Sequence, residues 1–316
     1  MVHRTADSPG GAGGPGSRAD DVPPLFRRVG DTPLVQLRSV TDHLDDGVEV
    51  CLKLEYTNPG GSVKDRPARQ IILDALADGR LGEGQTLIDS TSGNTGVAYS
   101  MLGSAAGIDV ALVMPENVSA ARKHITRTYG AELIFSDPME GSDGAIRRVR
   151  EIVEGEGGDQ YFYADQYGNP SNPRAHERTT APEIWRQTGG DVTHFVAGTG
   201  TSGTIMGTGW GLRERNADIQ LIGVQPEDGF HGLEGLKHMP SAIEPDIYRE
   251  QELDEVRFVS TDASWEMAER LGREEGIAAG YSTGANVLEA VRVAEEIDEG
   301  TVVTLACDHA DRYFEE

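Results

Sequence analysis

Lys64 is the residue of this sequence best suited to covalent chemistry. It stands in the segment NPGGSVKDRP, residues 58–67, where Gly60 and Gly61 make the chain supple. Pro67 has no backbone N–H and is favoured in the first turn of a helix, which puts Lys64 just ahead of that helix. The chain has only four lysines, whereas arginine is plentiful. Because a lysine amine can form a Schiff base with a carbonyl compound, we predict Lys64 as a nucleophile.

A glycine-rich loop at residues 198–204, GTGTSGT, follows a predicted strand and opens a predicted helix. Its glycines let backbone N–H groups approach a ligand, its hydroxyl groups add donors, and the helix start favours negative charge. The pattern G-x-G-x-x-G suits either the pyrophosphate of a dinucleotide or the single phosphate of another cofactor. A dinucleotide fold requires an acidic residue at the end of the next strand, but that strand ends at Gln225 and Glu227 comes two residues later. This loop alone leaves both interpretations open.

A second polar loop, DSTSGNTG at residues 89–96, also follows a predicted strand and opens a predicted helix. It presents Thr91, Ser92, Asn94 and Thr95, which is more than one helix cap requires, although a capped helix is the alternative. Two such loops indicate two bound anions, for example a cofactor phosphate and a substrate carboxylate. A nucleophilic lysine, a phosphate site and a carboxylate site together predict a pyridoxal 5'-phosphate enzyme that acts on an amino acid.

Alternating strand and helix patterns must position these loops. Repeated β-α units favour parallel sheets covered by helices, and the length favours two lobes. We therefore predict the α/β class, with two lobes that each contain a mostly parallel sheet flanked by helices. The predicted strands are residues 48–54, 86–90, 109–114, 132–135, 193–197, 221–225 and 302–306. The predicted helices include residues 68–78, 97–106, 119–129 and 144–154, with another from about residue 205.

The predicted lobes divide the chain unevenly. Residues 1–21 form a low-complexity leader that is predicted to be disordered. The smaller, N-terminal lobe is predicted over residues 48–158 and contains Lys64 and the second polar loop. The larger, C-terminal lobe is predicted to take residues 22–47 and 159–316, including the glycine-rich loop.

The composition disfavours several classes of partner. The 316 residues carry 53 acidic against 28 basic side chains, a formal charge of -25, which disfavours nucleic acid and anionic membranes. Many acidic residues with few lysines are typical of a protein from a salt-loving organism, since molar salt screens such a surface. Cys51 and Cys307 lack a C-x-x-C partner and the histidines lack metal-ligand spacing, so we predict neither a disulfide nor a metal. With no signal-peptide pattern and no membrane-spanning apolar run in the sequence, we predict a cytoplasmic protein.

Several segments of the sequence resemble the fold type II pyridoxal-phosphate enzymes, which share a tryptophan synthase β-like fold. More narrowly, they resemble the family of cysteine synthase (O-acetylserine sulfhydrylase) and cystathionine β-synthase. The resemblance runs from about residue 30 to residue 313. The segments that carry it are NPGGSVKDR at 58–66, TSGNTG at 91–96, NPSNPRAH at 169–176, GTGTSGT at 198–204 and GYSTGA at 280–285.

The resemblance implies a role for each matching residue. Lys64 resembles the lysine that forms the Schiff base with the cofactor and moves the α-proton of the substrate. Ser282 matches the hydroxyl that hydrogen-bonds the pyridine nitrogen, and Asn94 matches the residue that meets the phenolic oxygen. The implied phosphate site comprises Gly200, Thr201, Ser202, Gly203 and Thr204. The implied substrate-carboxylate site comprises Thr91, Ser92, Asn94, Thr95 and Gln166.

The implied reaction is β-replacement of O-acetyl-L-serine by sulfide, through an aminoacrylate, to give L-cysteine, catalysed by a homodimer. A serine at the pyridine nitrogen, unlike an aspartate, does not hold the ring protonated, which favours prompt loss of a leaving group from the β-carbon. An O-phosphoserine-using cysteine synthase and a cystathionine β-synthase remain alternatives. An NAD-dependent dehydrogenase and a non-catalytic regulatory paralogue are more remote.

Three departures from the family pattern bear on cofactor and substrate. The Gly-Ile-Gly-Ala-Gly loop common in O-acetylserine enzymes is not recognisable, and the segment DGFHGLEGLKHMP at residues 228–240 resembles more closely the branch that accepts O-phosphoserine. Ser202 stands where many members have glycine, a change expected to add a donor without harm. Members that accept O-phosphoserine carry an arginine for the substrate phosphate just after a Glu-Pro pair, whereas this chain has Pro226 followed by Glu227. We expect the Glu227 carboxylate to repel a phosphate dianion, which favours O-acetylserine as the substrate.

Overall fold

The structure is a computed structural model that describes residues 22–91 and 93–313. The predicted leader at residues 1–21 and the predicted substrate residue Ser92 lie outside the described residues. Strands and helices alternate along the described chain. The strands are β1 (Leu34–Gln36), β2 (Val48–Leu54), β3 (Thr86–Ser90), β4 (Val110–Pro115), β5 (Glu132–Ser136), β6 (Tyr161–Tyr163), β7 (Val192–Gly198), β8 (Gln220–Pro226), β9 (Glu255–Val259) and β10 (Gly300–Ala306). The helices are α1 (Asp65–Ala77), α2 (Asn94–Ala106), α3 (Ala120–Thr128), α4 (Gly141–Glu154), α5 (Ser171–Ala175), α6 (Ala181–Gln187), α7 (Gly203–Arg213), α8 (Thr261–Arg270) and α9 (Tyr281–Glu295).

The strands form two sheets, which confirms the predicted α/β class. The larger sheet has the order β1-β2-β10-β7-β8-β9, and every neighbouring pair in it is parallel except β1 with β2. The smaller sheet has the order β5-β4-β3-β6 and is entirely parallel. Parallel strands require crossover connections, and helices supply most of them.

The structure corrects both ends of the predicted smaller lobe. β2 was expected in the smaller lobe, but it pairs with β10 in the larger sheet, with Val50 opposite Val302. β6 was expected in the larger lobe, but it pairs with β3 in the smaller sheet. Both strands are short apolar runs, and such runs predict a strand without indicating its partner. The smaller sheet and its helices therefore form an insertion between β2 and β7 of the larger sheet.

A group of buried charges supports the start of α1, next to Lys64. Arg66 is buried and its Nε donates to Glu55 Oε2 at 2.6 Å, while its Nη2 donates to Glu183 Oε2 at 2.7 Å. Lys53 Nζ, also buried, lies 2.8 Å from the same Glu183 oxygen. Burial opposes the charge of Arg66, yet the two carboxylates raise its pKa. Removing one partner of such a buried group costs about 3–5 kcal/mol, so this network holds β2, α1 and α6 together.

None of the helices among the described residues is long and apolar enough to span a membrane.

Candidate active site

A cleft of about 970 Å³ lies where the ends of strands from both sheets meet. A smaller recess of about 80 Å³ adjoins it, and Lys64, Gly200 and Thr201 line both. The lining includes residues that directly follow β3, β7 and β10. In α/β folds ligands bind beyond the carboxyl ends of parallel strands, so this is the expected place for a site.

Lys64 lies immediately before α1, in the N-cap position but without a side-chain cap hydrogen bond, in agreement with the position predicted from Pro67. Two backbone contacts hold its loop: Val63 N donates to Cys307 O at 2.8 Å, and Lys64 N donates to Ser62 Oγ at 3.2 Å. Gly61 has φ +79°, and a Cβ there would lie 2.5 Å from Arg312 Nη2, so only glycine suits this turn. The loop that carries the lysine is therefore fastened to the end of β10.

The predicted substrate loop connects β3 to the N-terminus of α2. Gly93 N donates to Thr91 Oγ1 at 3.3 Å, and Asn94 is the first residue of the helix. Thr95 Oγ1 donates to Gln166 Oε1 at 2.8 Å, so the structure brings together two residues predicted for one site from distant segments. The described residues of this loop therefore gather around the helix start, where an anion is favoured.

Gln166 is held in place by hydrogen bonds to the last residues of β3. Its side-chain Nε2 donates to Ser90 O at 2.8 Å, and its backbone N donates to Asp89 Oδ2 at 3.2 Å. Burial raises the pKa of Asp89 to about 8, while the hydrogen bond from Ser90 N acts in the opposite direction. These contacts fix the orientation of Gln166 and, through it, that of Thr95.

The predicted phosphate loop runs from the end of β7 to the start of α7. A Cβ at Gly200 would lie 2.0 Å from Gly235 O, and a Cβ at Gly203 would lie 1.9 Å from Asn172 Oδ1. Both glycines are therefore required by packing as well as by access to a ligand. Asn172 Nδ2 donates to Thr201 Oγ1 at 3.1 Å, which positions that hydroxyl. The loop presents backbone N–H groups and hydroxyls at a helix N-terminus.

Ser202 has a backbone conformation that is unusual for a residue other than glycine. It has φ +69°, a left-handed conformation that costs a non-glycine residue about 1–2 kcal/mol. Its Oγ is buried and has no hydrogen-bond partner among the described residues. This hydroxyl is therefore available to donate to an anion at the start of α7, and the expectation that Ser202 adds a donor to the loop stays a prediction.

Thr204 and Ser282 complete the set of predicted cofactor residues. Thr204 Oγ1 lies 3.3 Å from Nε2 of His176, which is buried and whose pKa is lowered to about 3, mainly by that burial. Ser282 lies in the first turn of α9 and lines the small recess together with Lys64 and Cys307. Burial raises the pKa of the Cys307 thiol to about 11, so this sulfur is a neutral wall of the recess.

Four further side chains of the cleft were not predicted. Asp308 is buried, and its Oδ2 accepts hydrogen bonds from Asn94 Nδ2 and Tyr313 Oη, each at 2.6 Å. Burial raises the pKa of Asp308, although the two donors and the Lys64 charge counteract this rise. Arg122 and Glu234 form an ion pair in the cleft lining. Asp308 and Tyr313 lie in the last residues of the segment covered by the resemblance, which is the only sequence signal for them. No sequence pattern indicated the ion pair.

Glu227, which was expected to repel a phosphate dianion, is not among the described residues that line the cleft or the recess. It is exposed, and its backbone N donates to Val259 O at 3.0 Å just beyond β8. Glu234 lines the cleft instead. A phosphate group in the cleft would therefore meet the carboxylate of Glu234 rather than that of Glu227.

The residues around the recess fit pyridoxal 5'-phosphate. The Ser202 hydroxyl, which has no partner among the described residues, and the helix N-terminus beside it suit a phosphate group. Lys64 and Ser282 line the same recess as this loop, so an amine and a hydroxyl are available to one ligand. Among the described residues, no three His, Cys, Asp or Glu side chains are grouped so that they could hold a metal ion.

Comparisons with known proteins agree with this fit. The family described as pyridoxal-phosphate dependent enzyme matches residues 25–308. Cysteine synthase from Aquifex aeolicus is 48% identical over 92% of this chain and 90% of its own length. Cysteine synthase B from Pseudomonas aeruginosa is 41% identical over 92% of this chain and 96% of its own length. The crystal structure of cysteine synthase from Entamoeba histolytica superposes with a TM-score of 0.87 at 36% identity, covering 97% of this chain and 92% of that one.

These matches span nearly the whole described chain and include both glycine-rich segments. They overturn the dinucleotide interpretation of residues 198–204, because the family uses a different cofactor. The chain belongs to the family of pyridoxal-phosphate dependent enzymes.

Proposed function

We propose that this chain is a cysteine synthase that replaces the acetoxy group of O-acetyl-L-serine with sulfide. The observation that carries the proposal is the convergence of Lys64, the loop 198–204 and Ser282 on one recess beside a larger cleft. The similarity to cysteine synthases over nine-tenths of the chain supports the same reaction.

The cofactor would be held at three points. The loop formed by Gly200, Thr201, Ser202, Gly203 and Thr204 would bind its phosphate, because the N–H groups and hydroxyls at the start of α7 suit a dianion. Ser282 would donate to the ring nitrogen, and Asn94 would face the phenolic oxygen. When bound, pyridoxal phosphate supplies an electron sink for negative charge at the substrate Cα.

Lys64 would serve in two ways. Its amine would hold the cofactor, and it would act as the base that removes the proton from the substrate Cα. General-base catalysis of this kind requires a positioned group, and the fastening of the lysine loop to Cys307 and Ser62 supplies that position. The buried Asp308 carboxyl group lines the same recess as Lys64.

Residues at the N-terminus of α2 would orient the substrate. Thr91, Asn94 and Thr95 would bind the substrate carboxylate, aided by the favourable potential of the helix N-terminus. Gln166 would hold Thr95 in place through the 2.8 Å hydrogen bond. Ser92 is proposed to join them, and closure of this loop would exclude water during loss of acetate.

We also propose a homodimer that works in a cytoplasm of high salt content. The acidic composition and the scarcity of lysine support the salt requirement. The family resemblance supports the homodimer.

The test is to locate the covalent attachment of the cofactor. We expect the purified protein to be yellow, to make cysteine from O-acetylserine and sulfide, and to carry the label on the Lys64 peptide after borohydride reduction and digestion. Lys64→Ala should abolish the label and reduce turnover by at least about 10³-fold, since it removes both nucleophile and base.

Lys237→Arg is the matched control, because Lys237 is the other lysine among the described residues that line the cleft. This variant should keep the label on Lys64. A label on any other peptide of the wild-type protein, or normal turnover by Lys64→Ala, would refute the proposed role.

A further inference from the structure

The lining of the cleft contains an ion pair whose partners come from two segments that are distant in sequence. Arg122 lies in α3, beside the smaller sheet, and Glu234 lies in the segment between β8 and β9 of the larger sheet. Arg122 Nη2 donates to Glu234 Oε2. Both residues line the cleft and the recess, and their side chains are 20% and 53% exposed, so a ligand in the cleft can reach the pair.

Contacts lead from this pair to the substrate loop. The Arg122 guanidinium stands over the Tyr313 ring, 5.8 Å from its centroid. Tyr313 Oη donates to Asp308 Oδ2, and this oxygen also accepts from Asn94 Nδ2. The ion pair is therefore linked through Tyr313 and Asp308 to Asn94, which is proposed to bind the substrate, and it lines the cleft into which the substrate would extend.

The other cationic side chains of the described lining are already engaged. Lys237 Nζ is 3.1 Å from Asp143 Oδ1 and stands over the Tyr167 ring. Arg312 Nη1 donates to Asn94 Oδ1 at 3.2 Å, and its Nη2 donates to Gly60 O. Lys64 is reserved for the cofactor in the proposed function. A phosphate dianion in the cleft would therefore have to take Arg122 from Glu234 and would meet the Glu234 carboxylate itself.

An uncharged ester meets no such barrier, because it needs no cationic partner. We propose that the Arg122–Glu234 pair determines which leaving group the enzyme accepts: Glu234 occupies the guanidinium, admits amino-acid substrates with an uncharged β-ester and rejects those with a phosphate ester. This inference rests on the proposed function and deepens it, since it assigns the choice between O-acetylserine and O-phosphoserine to one side chain.

The test compares kcat/KM for O-phosphoserine and for O-acetylserine, both with sulfide, in holoenzyme. Glu234→Gln keeps the shape and a hydrogen-bond acceptor for Arg122 but removes the charge. We expect it to raise the ratio of O-phosphoserine to O-acetylserine use by about tenfold or more, because a dianion then binds Arg122 unopposed. Glu227→Gln removes the same charge from an exposed position outside the cleft lining and should leave the ratio unchanged.

A double variant tests whether Arg122 is the receptor. Adding Arg122→Gln to Glu234→Gln should cancel the gain in O-phosphoserine use. Inorganic phosphate supplies a readout without turnover: it should raise the melting temperature of Glu234→Gln holoenzyme more than that of wild-type holoenzyme. An unchanged ratio in a folded Glu234→Gln protein, or wild-type use of O-phosphoserine equal to that of O-acetylserine, would overturn the inference. Failure of the wild-type enzyme with O-acetylserine and sulfide would instead overturn the proposed function. In that case the change in melting temperature caused by phosphate would still test whether Glu234 keeps phosphate from Arg122.

Discussion

Ser202 combines two unfavourable features in one residue. Its left-handed backbone costs about 1–2 kcal/mol relative to glycine, and its buried hydroxyl has no partner among the described residues. An unsatisfied buried hydroxyl costs a further 1–3 kcal/mol or so. A phosphate at the start of α7 would accept a hydrogen bond from that hydroxyl. Ser202 is therefore suited to the loaded protein and unsuited to the empty one.

We expect Ser202→Gly to raise the free energy of unfolding of the apoprotein by about 1 kcal/mol, since glycine relieves the left-handed strain but adds freedom to the unfolded chain. The same variant should bind pyridoxal phosphate more weakly. Urea unfolding of apoprotein and titration with the cofactor measure the two effects. Ser202→Ala serves as the control, because it removes the hydroxyl and keeps the strain. Equal apoprotein stability in Ser202→Gly and Ser202→Ala would show that the backbone contributes nothing.

At the scale of elements, Asn286 connects α9, which carries Ser282 for the cofactor ring, to the loop that would bind the cofactor phosphate. It lies one turn after Ser282 in α9 and is fully buried. Its Oδ1 accepts from Gly198 N at 2.8 Å, at the start of the phosphate loop. Its Nδ2 donates to Leu305 O at 3.0 Å, in β10. One amide therefore fixes the position of α9 relative to both β7 and β10.

Asn286→Ala should lower the free energy of unfolding by about 2–4 kcal/mol, because a buried N–H and a buried C=O both lose their partner. It should also weaken cofactor binding and alter the visible absorption of the holoenzyme, which a purely structural loss would leave unchanged. Asn216→Ala, in the turn after α7, is the control: it removes an amide whose Oδ1 accepts an exposed hydrogen bond from Asp218 N at 3.0 Å, and it should change little. A normal spectrum and normal cofactor affinity in Asn286→Ala would contradict the positioning role.

The local sequence pattern predicted the strands and helices well, but it did not predict which strands pair with each other. β2 and β3 were predicted residue for residue, because each is a short apolar run bounded by polar or turn residues. The sheet to which β2 belongs was not predicted, since strand pairing depends on residues 250 positions away, such as Val302 opposite Val50. α1 was predicted too short, because Asp65 and Arg66 precede the proline that marked its start.

The same distinction holds for the site. Lys64, the loop 198–204 and Ser282 lie in contiguous motifs, so the sequence could indicate them. Arg122 and Glu234 meet across 112 residues of sequence, and Asn94 and Asp308 meet across 214. Neither pair has a local sequence pattern, and only the folded chain brings the partners of the ion pair and of the hydrogen bond together.

At the scale of the whole molecule, the charge of -25 is the dominant feature. At low ionic strength an excess of one charge destabilises the compact state through self-repulsion. At 1 M salt the Debye length falls to about 3 Å, and most of this repulsion disappears. The proposed adaptation to high salt follows from this physics.

We expect the melting temperature to rise by roughly 10 °C or more between 0.1 M and 2 M KCl, the range over which screening of the acidic surface becomes complete. Circular dichroism or calorimetry measures this change. Sucrose is the control, since it favours the compact state without screening charge. A melting temperature that rises equally in sucrose, or does not rise in KCl, would count against adaptation to salt.

The position of β10 has a consequence for how the protein is made. This strand, residues 300–306, lies in the middle of the larger sheet, between β2 and β7, yet it is the last strand of the described chain to leave the ribosome. Without β10, no strand would join β1-β2 to β7-β8-β9, and β2 and β7 would each have an unpaired edge. The two halves can therefore be joined only after β10 has been synthesised, and the same step brings Cys307 and Asp308 to the lysine loop, so the cofactor pocket is completed late in folding.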